Sequence, residues 1–432
     1  MNILNIEGDK IKNKIKIPNL EIITLVAMMA IIWINTDLWS RSFWINETDT
    51  LSFSTFGIEG FGFGFGPLIY IYYLIISVFG ELDYVLRASS LFFSIITMIT
   101  INLICRELRS GKLLGFCSSI IFIFSSYSIE YGLQIRSYAF NTMCVTLICL
   151  WGINKLNNPK KDESWSNNFM TLLICFFIWP PSTHYFSNIY LFIFFSSIIL
   201  LSSYKNIIKE YREIIESSLF PPLATLFLIT AIKISGMMNA IINSINGENY
   251  VGGGESNIMI ISTYDFLFTI SSQSNIILFF FLTGLTLFLH KSLTEKNQRE
   301  KIFFAVLIIN FVVPISLSLI LQYKLSGFNL LRYLYFWFPI FCIISGFGIS
   351  KIIERANMQI PMYNEENSIL VRTIIIIFLF SIVSYEPLVN YGDIEGNIKF
   401  LKGEVGEEEV TIISSPPEPV SYTHLRAHET RG

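Results

Sequence analysis

The sequence predicts an all-α polytopic membrane protein with about eleven transmembrane helices, an interfacial helix in the first outward loop and a short extracytoplasmic α/β tail. Three observations lead there. The 432 residues are 52% hydrophobic and only 15% charged, with a mean hydropathy of +0.55, too apolar for soluble domains of this size. Apolar runs near bilayer-crossing length recur along the chain. Lys and Arg gather in alternate connections between those runs. The net charge of −3 conceals this segregation and points to no nucleic-acid partner.

Residues 1–19 carry Lys10, Lys12, Lys14 and Lys16 and read as a cytoplasmic segment. The apolar run 20–38 follows with no small-residue cleavage pattern after it, so it reads as an uncleaved first span rather than a signal peptide. Further spans are placed at 88–105, 113–127, 139–152, 169–182, 184–201, 219–238, 270–289, 302–321, 333–350 and 371–385, giving a transmembrane domain over 20–385. The stretch Pro67 to Phe79 is apolar but short, so it either crosses or lies in the interface. Charge decides. If it does not cross, 20 Lys and Arg fall in cytoplasmic segments and, up to residue 385, only Arg41, Arg87, Arg136, Lys324 and Arg332, five residues, face outward. If it crosses, every later loop changes side. Pro67 to Phe79 is therefore an interfacial helix within one long outward loop, 39–87.

The same parity puts 239–269, with its Gly252-Gly253-Gly254 break, outside, along with everything from Glu386. Residues 386–420 read as a short helix, an acidic turn and a strand at Val410 to Ser414, the start of a small appendage. Residues 421–432, SYTHLRAHETRG, resemble translated cloning or adaptor DNA and are set aside as non-native, which leaves 386–420 as a truncated tail. The six cysteines lie in or beside apolar runs without metal-ligand spacing and read as small buried apolar residues.

Polar groups cluster at the outer ends of the spans. The loop holds Glu47, Asp49 and Glu59, and Gly57 to Gly66 alternates glycine with Phe61, Phe63 and Phe65. That alternation is either a mobile segment dipping rings into the interface or a loose connection with apolar anchors. Arg87, Arg136 and Arg332 stand at outer span ends, and Lys233 lies about one turn inside one. Singly each reads as a cation reaching for headgroups; together they read as a phosphate site, Arg offering a planar fork and Lys a point charge. His184 follows Pro180-Pro181 at an outer turn, where it is either a packing residue or a ligand-binding one. His290 beside Lys291 has no assigned role. Asn46-Glu47-Thr48 is a formal glycosylation sequon too close to the membrane to serve as one.

Four segments carry a resemblance. WINETDTL (Trp44 to Leu51) resembles an acidic first loop; FGPLIYIYYLIISVFGELDYVLRASSLFF (Phe65 to Phe93) resembles an interfacial helix leading into an Arg-starting span. YSIEYGLQIRSYAF (Tyr127 to Phe140) resembles a Gln-x-x-Arg-x-Tyr outer turn, and THYFSNIYL with RYLYFWFPIF (Arg332 to Phe341) resembles the later His-Tyr-Phe and Arg-Tyr segments. In this order, over roughly residues 20 to 415, they resemble GT-C superfamily membrane glycosyltransferases, the type that includes protein O-mannosyltransferases and the lipid A aminoarabinose transferase. The chain departs from that pattern at Asn46, where the family usually has Asp, leaving Glu47 in the second acidic position and Asp49 as a further acid.

The resemblance implies transfer of a sugar from a polyprenyl-phosphate donor to a protein, lipid or glycan acceptor on the extracytoplasmic side of the cell membrane. Glu47 or Asp49 would be the general base, since a carboxylate in a partly dehydrated loop can be tuned for that task. Arg136, Arg87, Lys233 and Arg332 would meet the charge growing on the leaving lipid phosphate. Tyr138 and His184 complete the substrate-binding set. No cofactor is evident; Asn46, Glu47 and Asp49 offer a divalent cation only a weak oxygen set. Two alternatives stand beside this reading: a lipid-linked-sugar transporter, which would show inverted repeats and mid-membrane charges, and a polysaccharide polymerase or ligase, which would need the outward Arg residues but not the acidic loop.

Overall fold

The computed structural model describes residues 20–39, 47, 67–80, 82–108, 112–157, 185–204, 263–322, 334–359 and 374–378. The predicted spans at 169–182 and 219–238, the triple-glycine break, the tail from 386 and its strand lie outside the described residues, as does most of the span placed at 371–385. Among the described residues the chain is helical and contains no strand.

The helices are α1 (Leu20–Ile34), α2 (Pro67–Phe79), α3 (Asp83–Glu107), α4 (Lys112–Phe124), α5 (Ser126–Gly132), α6 (Ser137–Asn157), α7 (Tyr185–Tyr204), α8 (Thr263–Ile270), α9 (Asn275–Thr294), α10 (Gln298–Gln322) and α11 (Phe338–Gln359), with 3-10 turns at Asp37–Trp39 and Tyr335–Trp337. Helix α2 has the bounds of the short apolar stretch picked out in the sequence. Three helical stretches are long and apolar enough to cross a bilayer: α3, α9 and Tyr335–Ala356. A fourth is added if α4 and α5 form one broken span. Of the other predicted spans that fall on described helices, α1 has 15 residues that rise only about 22 Å, while α6, α7 and α10 have 21, 20 and 25 residues.

Seven helices pack in a closed order, α6, α3, α4, α11, α9, α10, α7 and back to α6, with α1 laid on α4. Helix α11 is the centre: 83% of its apolar stretch is buried, against 28% for the peripheral α9. Two glycines let those two helices touch backbone to backbone. A methyl on Gly284 would collide with the Ile344 carbonyl, and one on Gly348 with that of Phe280. Stacked rings fill the crossing above and below, Phe281 on Phe341 with centroids 4.7 Å apart and Phe288 edge-on to Phe347 at 4.7 Å. The described cysteines, Cys105, Cys117, Cys144, Cys149 and Cys342, are all buried and unbridged.

Where the sequence reading placed a span over 113–127, the structure has two helices, α4 and α5, bent by 66° at Ser125. The bend frees backbone groups that have no water to turn to, and side chains from elsewhere take them. The Trp33 indole N–H donates to the Ile123 carbonyl at 2.8 Å. Ser128 Oγ donates to the Phe122 carbonyl. The Ser126 N–H donates to Ser272 Oγ at 3.2 Å. Ser272 and Gln273 reach this position through left-handed backbone, φ 55° and 56°, a strained conformation for residues with side chains.

Pro314, inside α10, creates the same problem by lacking an N–H for the Asn310 carbonyl one turn back. The Trp337 indole supplies that donor at 3.1 Å. Replacing Trp337 with Phe leaves a buried carbonyl unsatisfied and is expected to lower stability by about 1–3 kcal/mol. Pro314→Ala restores the helix's own donor, so the loss from Trp337→Phe shrinks in that background. Thermal unfolding of the four proteins in one detergent gives the coupling; equal losses in both backgrounds contradict the assignment.

Candidate functional site

Arg87 is the fifth residue of α3, and Ser90 and Ser94 follow at three and seven positions, which puts all three on one stripe of the helix. That stripe faces the irregular segment Leu133 to Arg136 between α5 and α6, whose carbonyls no helix claims. Arg87 Nη1 donates to the Leu133 carbonyl at 3.3 Å, Ser90 Oγ to that of Gln134 at 3.0 Å, and Ser94 Oγ to that of Gly132 at 3.1 Å. Gly132 fits because the Trp33 ring occupies the space a Cβ would need.

Glu47, from the first loop, closes the arrangement. Its Oε1 accepts from the Ile135 N–H at 2.7 Å and from Arg87 Nη1 at 3.3 Å; its Oε2 accepts from Arg87 Nη2 at 3.5 Å. Glu47 is 3% and Arg87 1% exposed, so this ion pair lies in the interior. Tyr72 of α2 shares a hydrogen bond with Ser90 Oγ at 3.2 Å. Burial pushes its hydroxyl up to about 12, so it stays protonated and is a hydrogen-bonding group, not a base. Glu47 of the first loop, α2, the start of α3 and the turn between α5 and α6 thus meet at one end of α3.

Of the candidates, Glu47, Arg87, Arg136 and Tyr138 come together here. Arg136 is half-buried immediately before α6, and Tyr138 is buried in its first turn. Tyr138 packs edge-on to Tyr131 with centroids 5.5 Å apart, and Tyr131 in turn touches Tyr127 and Tyr335. Asp49, His184, Lys233 and Arg332 lie outside the described residues, with Asn46. Among the described residues no three His, Cys, Asp or Glu side chains gather as a metal site.

Sequence reasoning passes over Glu130. It is fully buried on α5, and Gln134 Nε2 donates to its Oε1 at 3.4 Å. The signal was an acid inside an otherwise apolar run, where an ionisable group needs a specific reason to be present.

Removing either partner strands a buried charge. Glu47→Ala and Arg87→Ala are each expected to destabilise the protein by about 3–5 kcal/mol, and the double variant by clearly less than their sum. Thermal unfolding in detergent reads this; additive losses contradict a direct pair.

No family model and no curated protein matches this sequence. Solved structures do. The apo oligosaccharyltransferase of Archaeoglobus fulgidus aligns with a TM-score of 0.56 and 11% identity, over 94% of this chain and 59% of that one. AglB of the same organism, in complex with an inhibitory peptide and a dolichol-phosphate, aligns with a TM-score of 0.52 and 11% identity, over 92% of this chain and 61% of that one. The chain spans about three fifths of the length of the structures it matches. It shares the fold of the transmembrane part of these structures that it aligns with.

Proposed function

We propose that this protein is a membrane glycosyltransferase that moves a sugar from a polyprenyl-phosphate donor to an acceptor at the extracytoplasmic bilayer surface. The observation that carries the reading is the docking of the acidic loop, through Glu47, onto the Leu133 to Arg136 turn. It joins the two segments whose residue types suit base catalysis and phosphate binding. The dolichol-phosphate bound by AglB supports a polyprenyl-phosphate donor, and its fold is the one this chain shares.

Both Glu47 oxygens are engaged by Arg87 and the Ile135 N–H, so Glu47 seats the loop and Asp49, two residues on, is the base. Asp49 takes the proton of the acceptor hydroxyl as its oxygen bonds to the anomeric carbon and the bond to the donor phosphate breaks. The negative charge then grows on the lipid phosphate, where Arg136, with Lys233 and Arg332, lowers the barrier. Tyr138 and His184 bind substrate in this scheme. The eleven-span count, the cytoplasmic N-terminus and the interfacial seat of α2 belong to the same proposal.

Wild-type protein in liposomes is expected to consume one of a panel of polyprenyl-phosphate sugars when supplied with acceptor. Asp49→Asn should slow that turnover by about 100-fold or more while leaving thermal unfolding unchanged. Full activity in Asp49→Asn removes it as the base. A wild type that consumes no donor yet moves labelled lipid between leaflets is a transporter, and the proposal fails.

A further inference from the structure

Glu130 is a fully buried acid to which the catalytic scheme gives no task. It stands on α5, two residues before that helix ends at Gly132. The side chains keep helical spacing for one step more: Gln134, four residues after Glu130, turns its Nε2 back to donate to Glu130 Oε1 at 3.4 Å.

The backbone of Gln134 is held as well. Its carbonyl accepts from Ser90 Oγ at 3.0 Å and from the Arg136 N–H at 2.8 Å. A bond between residues two apart closes a γ-turn, here with Ile135 at the apex. The apex N–H takes no part in that ring and donates to Glu47 Oε1 at 2.7 Å. Only the φ and ψ of Ile135 separate the peptide that carries the Gln134 carbonyl from the one that carries the Arg136 N–H. Seating Gln134 therefore sets the direction in which Arg136 leaves the turn. Glu130 and Gln134 are buried while Arg136 is half-buried, so of the three only Arg136 has surface to offer a ligand.

We propose that Glu130 is a positioning residue for glycosyl transfer: it grips the Gln134 amide and so fixes the γ-turn that presents Arg136 to the donor phosphate. Glu47 and Glu130 then hold the same turn from two sides, the first loop at its apex and α5 at its start. The inference rests on the membrane-glycosyltransferase reading and adds to it a residue that touches no substrate.

The test uses the full chain in liposomes and the polyprenyl-phosphate sugar that wild type consumes. Initial rates over a range of donor concentration, well below the unfolding temperature, give KM and kcat. Glu130→Leu should raise the donor KM about tenfold, the worth of one hydrogen bond to a charged group. Glu130→Gln keeps an acceptor oxygen for Gln134 and should stay within about twofold of wild type. Combined with Arg136→Ala, Glu130→Leu should add nothing, because the residue it positions is gone. A role in stability alone lowers the active fraction, so kcat per total protein falls while KM stays. An unchanged KM in Glu130→Leu overturns the assignment, as does equal impairment by Glu130→Gln or a fully additive loss in the Arg136→Ala background. Where Glu130→Leu does not fold, Gln134→Leu reads the same contact from its other side, and an unchanged KM there overturns the assignment too. A wild type that consumes no donor is a different result: it removes the transferase reading, and this inference with it.

Discussion

A helix broken in a protein interior has backbone groups that neither water nor its own next turn can satisfy, and the architecture of this protein is arranged around supplying them. The bend at Ser125 and the open segment after Gly132 leave carbonyls and N–H groups exposed in the interior. They are met by side chains from α1, α3, the turn after α8 and the first loop. The indoles of Trp33 and Trp337 do the same task at different breaks, each donating its one N–H to a carbonyl left over by a kink or a proline.

The Arg87–Glu47 pair belongs to that scheme and also exceeds it. A serine would have sufficed for the Leu133 carbonyl, as Ser90 and Ser94 do for its neighbours. A buried guanidinium requires a buried carboxylate, and the carboxylate comes from a loop 40 residues back in sequence. The pair thus fixes a loop on the core where a neutral hydrogen bond would only have capped it. Asp49 follows the anchored Glu47 by two residues in the sequence, which is the premise of the catalytic proposal.

Much of this was legible in the sequence. Apolar length isolated Pro67 to Phe79, and α2 has those bounds, because a short hydrophobic stretch is visible in the sequence alone. Arg87 and Arg136 were picked out by their span ends, Glu47 by the acidic first loop and Tyr138 by the resemblance alone. What stayed hidden is pairing: nothing in local sequence says that Arg87 faces Glu47 instead of a ligand, since that depends on a loop folding back over many residues. The break at Ser125 was equally silent, because Ser-Ser within an apolar run carries no proline or glycine to announce a kink. Glu130 was readable only as an acid just beyond the apolar run 113–127, and its burial gives it its weight.

Hydrogen exchange at the Ile135 amide tests the central claim most directly, since Glu47 is its acceptor. Exchange in the Leu133 to Arg136 peptide should be slow in the wild-type protein and fast in Glu47→Ala, with peptides of α9 unchanged. The same slow exchange in both proteins would mean that the first loop is not seated on this turn, and the account of the site would fall with it.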